Sequence, residues 1–199
     1  MKGVFLDIET NGLDPYIHSP LEISLSIYDL HTMECISGYT TFIECSEREW
    51  VVHSDPQALK INGITYEQVK EGKSFECICE DLVELFLSYE IHKTNSVFIC
   101  QNPSFDRAFF NQIIPVESQN EIELPYHWLD LASMYFMENL VSKKVNGRTV
   151  RYHPHITTIP CSKDAIASYY GLPIEGKPHR AFNGVQHLIT CYKALMGLE

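Results

Sequence analysis

Asp7 and Glu9 stand two residues apart at the end of a nearly continuous apolar run, Gly3 to Ile8. In an extended strand that spacing puts both carboxylates on one side of the pleat, close enough to share a divalent cation. A third acid, Asp106, follows the apolar run Ser96 to Cys100 through Gln101-Asn102-Pro103-Ser104-Phe105, where strand should give way to helix. The fourth group is an imidazole, His179, in the Gly/Pro-bounded segment Pro178-His179-Arg180-Ala181 just before the last helical stretch. Each has a plainer reading alone: a solvated strand-end acid, an acid favoured by a helix dipole, a hydrogen-bonding loop histidine. Three acids and an imidazole, each at an element's end, together point to cation-assisted chemistry.

Local pattern supplies the elements that must hold these groups. Gly3 to Ile8 reads as a buried strand followed by the turn residues Thr10-Asn11-Gly12-Leu13-Asp14-Pro15. Leu21 to Leu30 alternates apolar and polar residues, and Tyr39 to Cys45 does so less cleanly, so an antiparallel meander of three strands is expected first. A helical patch is expected after Ser54-Asp55-Pro56, and Ser74 to Tyr89 carries Phe75, Ile78, Leu82, Leu85 and Phe86 at helical spacing. Beyond it the spacing predicts a strand at Ser96 to Cys100, a helix from Asp106 to Ile113, and a strand end leading into a helix over Trp128 to Leu140. Two more helices are expected, Ser162 to Tyr170, with Ser162 as N-cap and Gly171 as stop, and Asn183 to Met196. The class is α/β: a mixed central sheet, antiparallel meander then βα units, flanked by helices.

Composition narrows the partners. The chain has 199 residues, 45% of them hydrophobic, enough for one domain spanning 1–199 with a real core. Fifteen Lys and Arg against 26 Asp and Glu give a net charge of −11, which excludes a generally basic, duplex-gripping surface. The one basic stretch runs from Asn139 to Lys163, which holds no acid but carries Lys143, Lys144, Arg148, Arg151 and Lys163, candidate contacts to phosphate beside the site. Seven cysteines without a CxxC pair read as reduced thiols. An acid after three apolar N-terminal residues argues against a secretory signal, and no apolar run reaches the length of a membrane span, so a cytoplasmic location and no membrane partner are expected.

The segments around the four groups resemble the DEDD superfamily of 3′→5′ exonucleases, in the branch with a catalytic histidine that includes the proofreading subunit of bacterial DNA polymerase III, ribonuclease T and oligoribonuclease. Phe5-Leu6-Asp7-Ile8-Glu9-Thr10-Asn11-Gly12-Leu13-Asp14-Pro15 is similar to the first motif and Leu21-Glu22-Ile23 to the start of the second strand. Ala58 to Thr65 is similar to the linker before the second helix, Asn102 to Asp106 to the second motif, Trp128-Leu129-Asp130 to the strand after it, and Gly171 to His187 to the third. The likeness implies a ribonuclease H-like fold that uses two Mg²⁺ or Mn²⁺ ions to hydrolyse single-stranded DNA or RNA from its 3′ end to nucleoside 5′-monophosphates. It further implies Asp7 as the bridge between ions, Glu9 on one ion and near the terminal 3′-hydroxyl, Asp106 on the other ion, and His179 as general base. Thr10, Gly12, Leu13, Asn102 and Phe105 would hold the terminal nucleotide, by backbone groups or by stacking. A homodimer is among the assemblies the resemblance allows.

One position departs from the pattern. The family's fourth metal-binding acid lies five residues after the histidine, and here that residue is Gly184, with Asn183, Gln186 and His187 nearby and no carboxylate before Glu199. Three carboxylates compensate two divalent ions less well than four. The competing expectation is therefore a catalytically inactive relative that binds nucleic-acid 3′ ends.

Overall fold

A computed structural model describes residues 1–140, 143–145, 148–150 and 158–198. Three antiparallel strands open the chain, β1 (Lys2–Thr10), β2 (Pro20–Asp29) and β3 (Cys35–Phe42). Four helices follow: α1 (Glu47–His53), α2 (Pro56–Asn62), α3 (Tyr66–Val69) and α4 (Phe75–Ser88). Then come β4 (Ser96–Cys100), α5 (Pro103–Ile113), α6 (Val116–Glu121), β5 (Trp128–Asp130) and α7 (Leu131–Leu140). The last third holds the short hairpin β6 (Lys143–Val145) and β7 (Arg148–Val150), then α8 (Lys163–Tyr169) and α9 (Ala181–Leu195). The main sheet is mixed, in the order β3-β2-β1-β4-β5, with β4 parallel to both β1 and β5.

The alternation along β1 decides where the site lies. Val4, Leu6 and Ile8 face one core, packed with Ile78, Leu82 and Phe86 of α4 and with Phe109, Phe110 and Ile113 of α5. Phe5 faces the other core, with Val185, Leu188 and Ile189 of α9. Side chains two residues apart share a face, so Asp7 and Glu9 follow Phe5 onto the face that α9 covers. The register of β1 with β4 ends at Phe5 opposite Ile99, whereas β1 continues to Thr10 beside β2. The two acids therefore project beyond the end of β4, where the chain turns into α5.

Several elements depart from their sequence expectations for identifiable reasons. The third strand runs from Cys35 to Phe42 and not from Tyr39 to Cys45, because Cys35 and Ser37 pair with Tyr28 and Ile27, while Ile43 leaves the ladder for a single bridge to Lys73. Helix α5 starts at Pro103, ahead of the expected Asp106, since proline suits a first helical turn and Asn102 supplies the left-handed residue before it (φ 57°). Helix α9 begins at Ala181, two residues early, because the Glu22 carboxylate accepts the Ala181 N–H at 3.0 Å. Helix α1 was not expected, although Ser46 and Glu49 form a reciprocal capping box at its start. No helix among the described residues is long and apolar enough to cross a membrane.

Candidate active site

Asp7 and Glu9 sit at the end of β1, and a register shift between Glu9 and Thr10 turns the chain away from β2 immediately after them. Asp106 arrives from the first turn of α5, and its Oδ1 accepts the Ile8 N–H at 3.1 Å, on the stretch of β1 that β4 no longer covers. That bond is 98 residues long in sequence and pins the second motif to the first.

His179 is brought in by two contacts that the sequence hid. Its backbone N–H donates to the Ile61 carbonyl at 3.1 Å, and Gly63, in left-handed conformation at the end of α2, lies so close to Pro178 that a Cβ there would come within 2.9 Å of the proline ring. Asn62 ties the same turn to the first motif, donating from Nδ2 to the Thr10 carbonyl at 3.0 Å. Next to His179, Arg180 grips Glu22 through two bonds of 2.9 and 2.8 Å, and Glu22 stands opposite Glu9 across β1 and β2. The segment Ala58 to Thr65 thus works as a strut between the first and third motifs, and Glu22 as the anchor of α9.

The electrostatics are those of acids short of positive charge. Burial, reinforced by Asp7, pushes Glu9 up to about 8. Burial also raises Asp106 well above the ordinary carboxylate range, with Asp7 adding to the shift and Lys163 and the Ile8 N–H opposing it. Asp7 is raised by burial even though Lys163 and His179 both act to lower it. All three would gain from a hard cation, and all three offer oxygen. Yet no group of three His, Cys, Asp or Glu side chains among the described residues is already closed round a common point. Asp7 instead turns its Oδ1 to the Lys163 ammonium at 3.0 Å.

Lys163 and Glu175 are the charged residues at the site that sequence reasoning did not place there. Lys163 was grouped with the basic stretch as a candidate phosphate contact; instead it opens α8 with its side chain turned inward, 14% exposed, between Asp7 Oδ1 at 3.0 Å and Glu175 Oε2 at 3.1 Å. Glu175 lies four residues before His179 with its side chain 3% exposed, Oε1 4.0 Å from His179 Nδ1 and Oε2 3.7 Å from His187 Nδ1. Burial works to raise its pKa, but His187, Lys163 and His179 outweigh it and take the carboxyl down to about 2. A fourth acid does reach the site, upstream of the histidine. Gly184, where the family's acid would be, is buried against Asp7: a Cβ there would lie 2.1 Å from Asp7 Oδ2 and 3.0 Å from Lys163 Nζ. A side chain at 184 would therefore displace Asp7 before it could serve as an added ligand.

The expected nucleotide contacts divide. Leu13 is 75% exposed beyond the first motif, free to wedge against a base. Thr10 is buried and donates to the Gly12 carbonyl at 2.6 Å, and Gly12 is overlain so closely by the His18 ring that a Cβ would meet it at 2.1 Å. Phe105 packs on Phe109 against the core, the rings tilted by 54° with centroids 4.9 Å apart. Gly12 and Phe105 thus each have a packing partner within the chain. Asn102 is exposed and accepts from the Ser104 hydroxyl at 2.7 Å. Of the basic stretch, Lys143, Lys144 and Arg148 belong to the β6/β7 hairpin, and Arg151 lies outside the described residues.

A mixed sheet in the order β3-β2-β1-β4-β5 flanked by helices, with acids at the end of its first strand and on the helix after its fourth, has the ribonuclease H-like fold. The family model for exonucleases of the RNase T type matches residues 4–192. The chain belongs to this family, within the DEDD exonuclease superfamily. Among solved structures it is similar to E. coli exonuclease I in complex with a dT13 oligonucleotide, at 16% identity and a TM-score of 0.68, over 96% of this chain and 40% of that one. A product-bound structure of exonuclease I matches at 15% identity and a TM-score of 0.70, over 99% of this chain and 43% of that one. The cell-death related nuclease CRN-4 matches at 13% and 0.69, over 98% of this chain and 64% of that one. The chain thus spans about two-fifths of the length of exonuclease I. No curated protein matches it in sequence.

Proposed function

We propose that this chain is a metal-dependent 3′→5′ exonuclease that removes nucleoside 5′-monophosphates from single-stranded nucleic acid. The observation that carries the reading is the convergence on the first motif of Asp106, bonded directly to the Ile8 N–H, and of the His179 segment, tied through Ile61 to the turn whose Asn62 donates to the Thr10 carbonyl, from segments separated by up to 172 residues of chain. The oxygen-only donors and their raised pKa values fit Mg²⁺ or Mn²⁺, held by Asp7, Glu9 and Asp106. When bound, such an ion acidifies water and offsets charge on the phosphodiester. His179, 31% exposed, takes the proton of the attacking water, and Glu175 Oε1 lies 4.0 Å from its Nδ1. Leu13 wedges against the terminal base, and a surface of net charge −11 disfavours duplex DNA. Exonuclease I, in complex with single-stranded oligonucleotides, supports the choice of substrate class.

One observation favours the alternative, a catalytically silent protein that binds 3′ ends: the ammonium already seated on Asp7. The two readings separate on a 5′-labelled single strand, as DNA and as RNA, incubated with Mg²⁺ or Mn²⁺. The nuclease reading predicts stepwise shortening from the 3′ end, abolished in Asp106→Asn and His179→Ala. Retention of the oligonucleotide at full length, with binding intact, would establish the silent reading.

A further inference from the structure

Lys163 is held more completely than a chance surface lysine. Its helix is capped by Ser162, whose hydroxyl accepts the Ala165 N–H at 3.2 Å, which fixes the residue that follows the cap. Its ammonium has three acceptors for three protons: Asp7 Oδ1 at 3.0 Å, Glu175 Oε2 at 3.1 Å and the Gly184 carbonyl at 3.5 Å. The Glu175 N–H donates to Asp164 Oδ1 at 3.0 Å, so the residue after Lys163 sets the loop that delivers its counter-ion. Among the described residues Glu175 keeps one buried oxygen, Oε1, without a hydrogen-bond partner, and that oxygen is the one facing His179.

The location is informative. The nitrogen lies 3.0 Å from where a side chain at position 184 would begin, the position at which the family places its fourth acid. In this chain the glycine removes that acid and makes room, Glu175 supplies a carboxylate from the other side, and a lysine fills the space between Glu175 and Asp7. An ammonium neutralises charge as a cation does, but with its three protons committed it has no open position at which to bind and acidify water.

We propose that the Lys163 ammonium, clasped by Asp7 and Glu175, stands in place of one of two divalent ions, so that the site takes a single ion, at Asp7, Glu9 and Asp106. The inference rests on the nuclease reading only in taking a two-ion site as its reference. Its consequence is a division of labour: a fixed organic cation offsets charge on one side of Asp7, and the exchangeable ion supplies the water-activating chemistry on the other.

The test is the stoichiometry of Mn²⁺, counted by electron paramagnetic resonance with and without thymidine 5′-monophosphate, on the full chain and on Lys163→Met. The wild type should bind one ion and the variant two, since Asp7 and Glu175 are then open to a second. Two ions in the wild type, or one in both proteins, would overturn the inference and leave the nuclease reading standing. No ion in either would overturn both. If the variant does not fold, wild-type protein with ¹⁵N-lysine gives the answer, with Lys163→Arg needed only for assignment. The ammonium signal of Lys163, assigned by its absence in Lys163→Arg, should persist, slow to exchange, through saturation with Mg²⁺. Its merging with the signals of solvated lysines would overturn the inference.

Discussion

Two groups of three ionisable side chains in this protein have nearly the same distances and opposite significance. On the surface, Glu123 lies between Lys93 at 2.6 Å and His92 at 2.8 Å, with half its side chain exposed. In the site, Lys163 lies between Asp7 at 3.0 Å and Glu175 at 3.1 Å, with all three side chains at 15% exposure or less. The surface trio has the shorter contacts, yet water screens it and each partner can be solvated if another is lost. The buried trio has no such recourse, and removing one member strands the others in a poorly solvating interior. Two glutamates make the contrast exact in chemistry: Glu123 and Glu175 are both lowered to about 2, Glu123 by hydrogen bonds from Lys93 and His92 at the surface, Glu175 by His187 and Lys163 against the cost of burial. Contact length alone does not rank ion pairs; access of water does.

The comparison can be broken by mutation. The largest effect is expected from Lys163→Met, which leaves Asp7 and Glu175 buried without their shared cation: about 3–5 kcal/mol lost in urea unfolding without metal, with Mn²⁺ restoring more of it than it adds to the wild type. A smaller effect is expected from Glu22→Gln, which weakens the two-bond grip on Arg180 and the bond to Ala181 that together start α9. It should cost about 2 kcal/mol in the same measurement, and by loosening His179 it should slow cleavage roughly 10- to 100-fold.

The glutamates sharpen it further. A carboxyl lowered on folding makes the unfolded chain the stronger proton binder, so its contribution to stability is complete above the ordinary value of 4.5 and is lost as pH falls toward about 2. Glu175→Gln should therefore flatten the dependence of stability on pH between those limits. In about 1 M salt, where the screening length is about 3 Å, the Glu123 carboxyl should titrate closer to its ordinary value, while Glu175 should stay low; carbon-detected NMR titration reads both. The smallest effect is expected for Glu123→Gln, whose thermal midpoint should match the wild type.

The same contrast explains what could be read from the sequence. Asp7 and Glu9 were legible because strand alternation dictates a side chain's face two residues away, and Asp106 because an apolar run and a proline announced the β4-to-α5 turn. The cap at Ser162 marked its helix, since a cap acts over three residues, and the spacing of Phe75, Ile78, Leu82 and Phe86 marked α4. Lys163 was legible as the first residue of a helix but not in its direction, because a basic neighbourhood suggested solvent. Glu175 lies in an irregular segment between Gly171 and α9, where no periodicity assigns a face; only the fold brings it beside a residue twelve positions earlier. Gly184 read as an absence, and only the approach of Asp7 showed what its missing side chain makes room for. Edge strand β3, half-exposed on its faces, lacked the alternation that would have fixed its ends.

The most direct test of the account is the anomalous scattering of Mn²⁺ in crystals of the wild-type chain grown with a short single-stranded oligonucleotide. The account predicts one peak, among Asp7, Glu9 and Asp106 and beside the 3′-terminal phosphodiester, with the Lys163 ammonium still between Asp7 and Glu175. Two peaks flanking Asp7 with Lys163 swung out, or no peak with the oligonucleotide elsewhere, would contradict it.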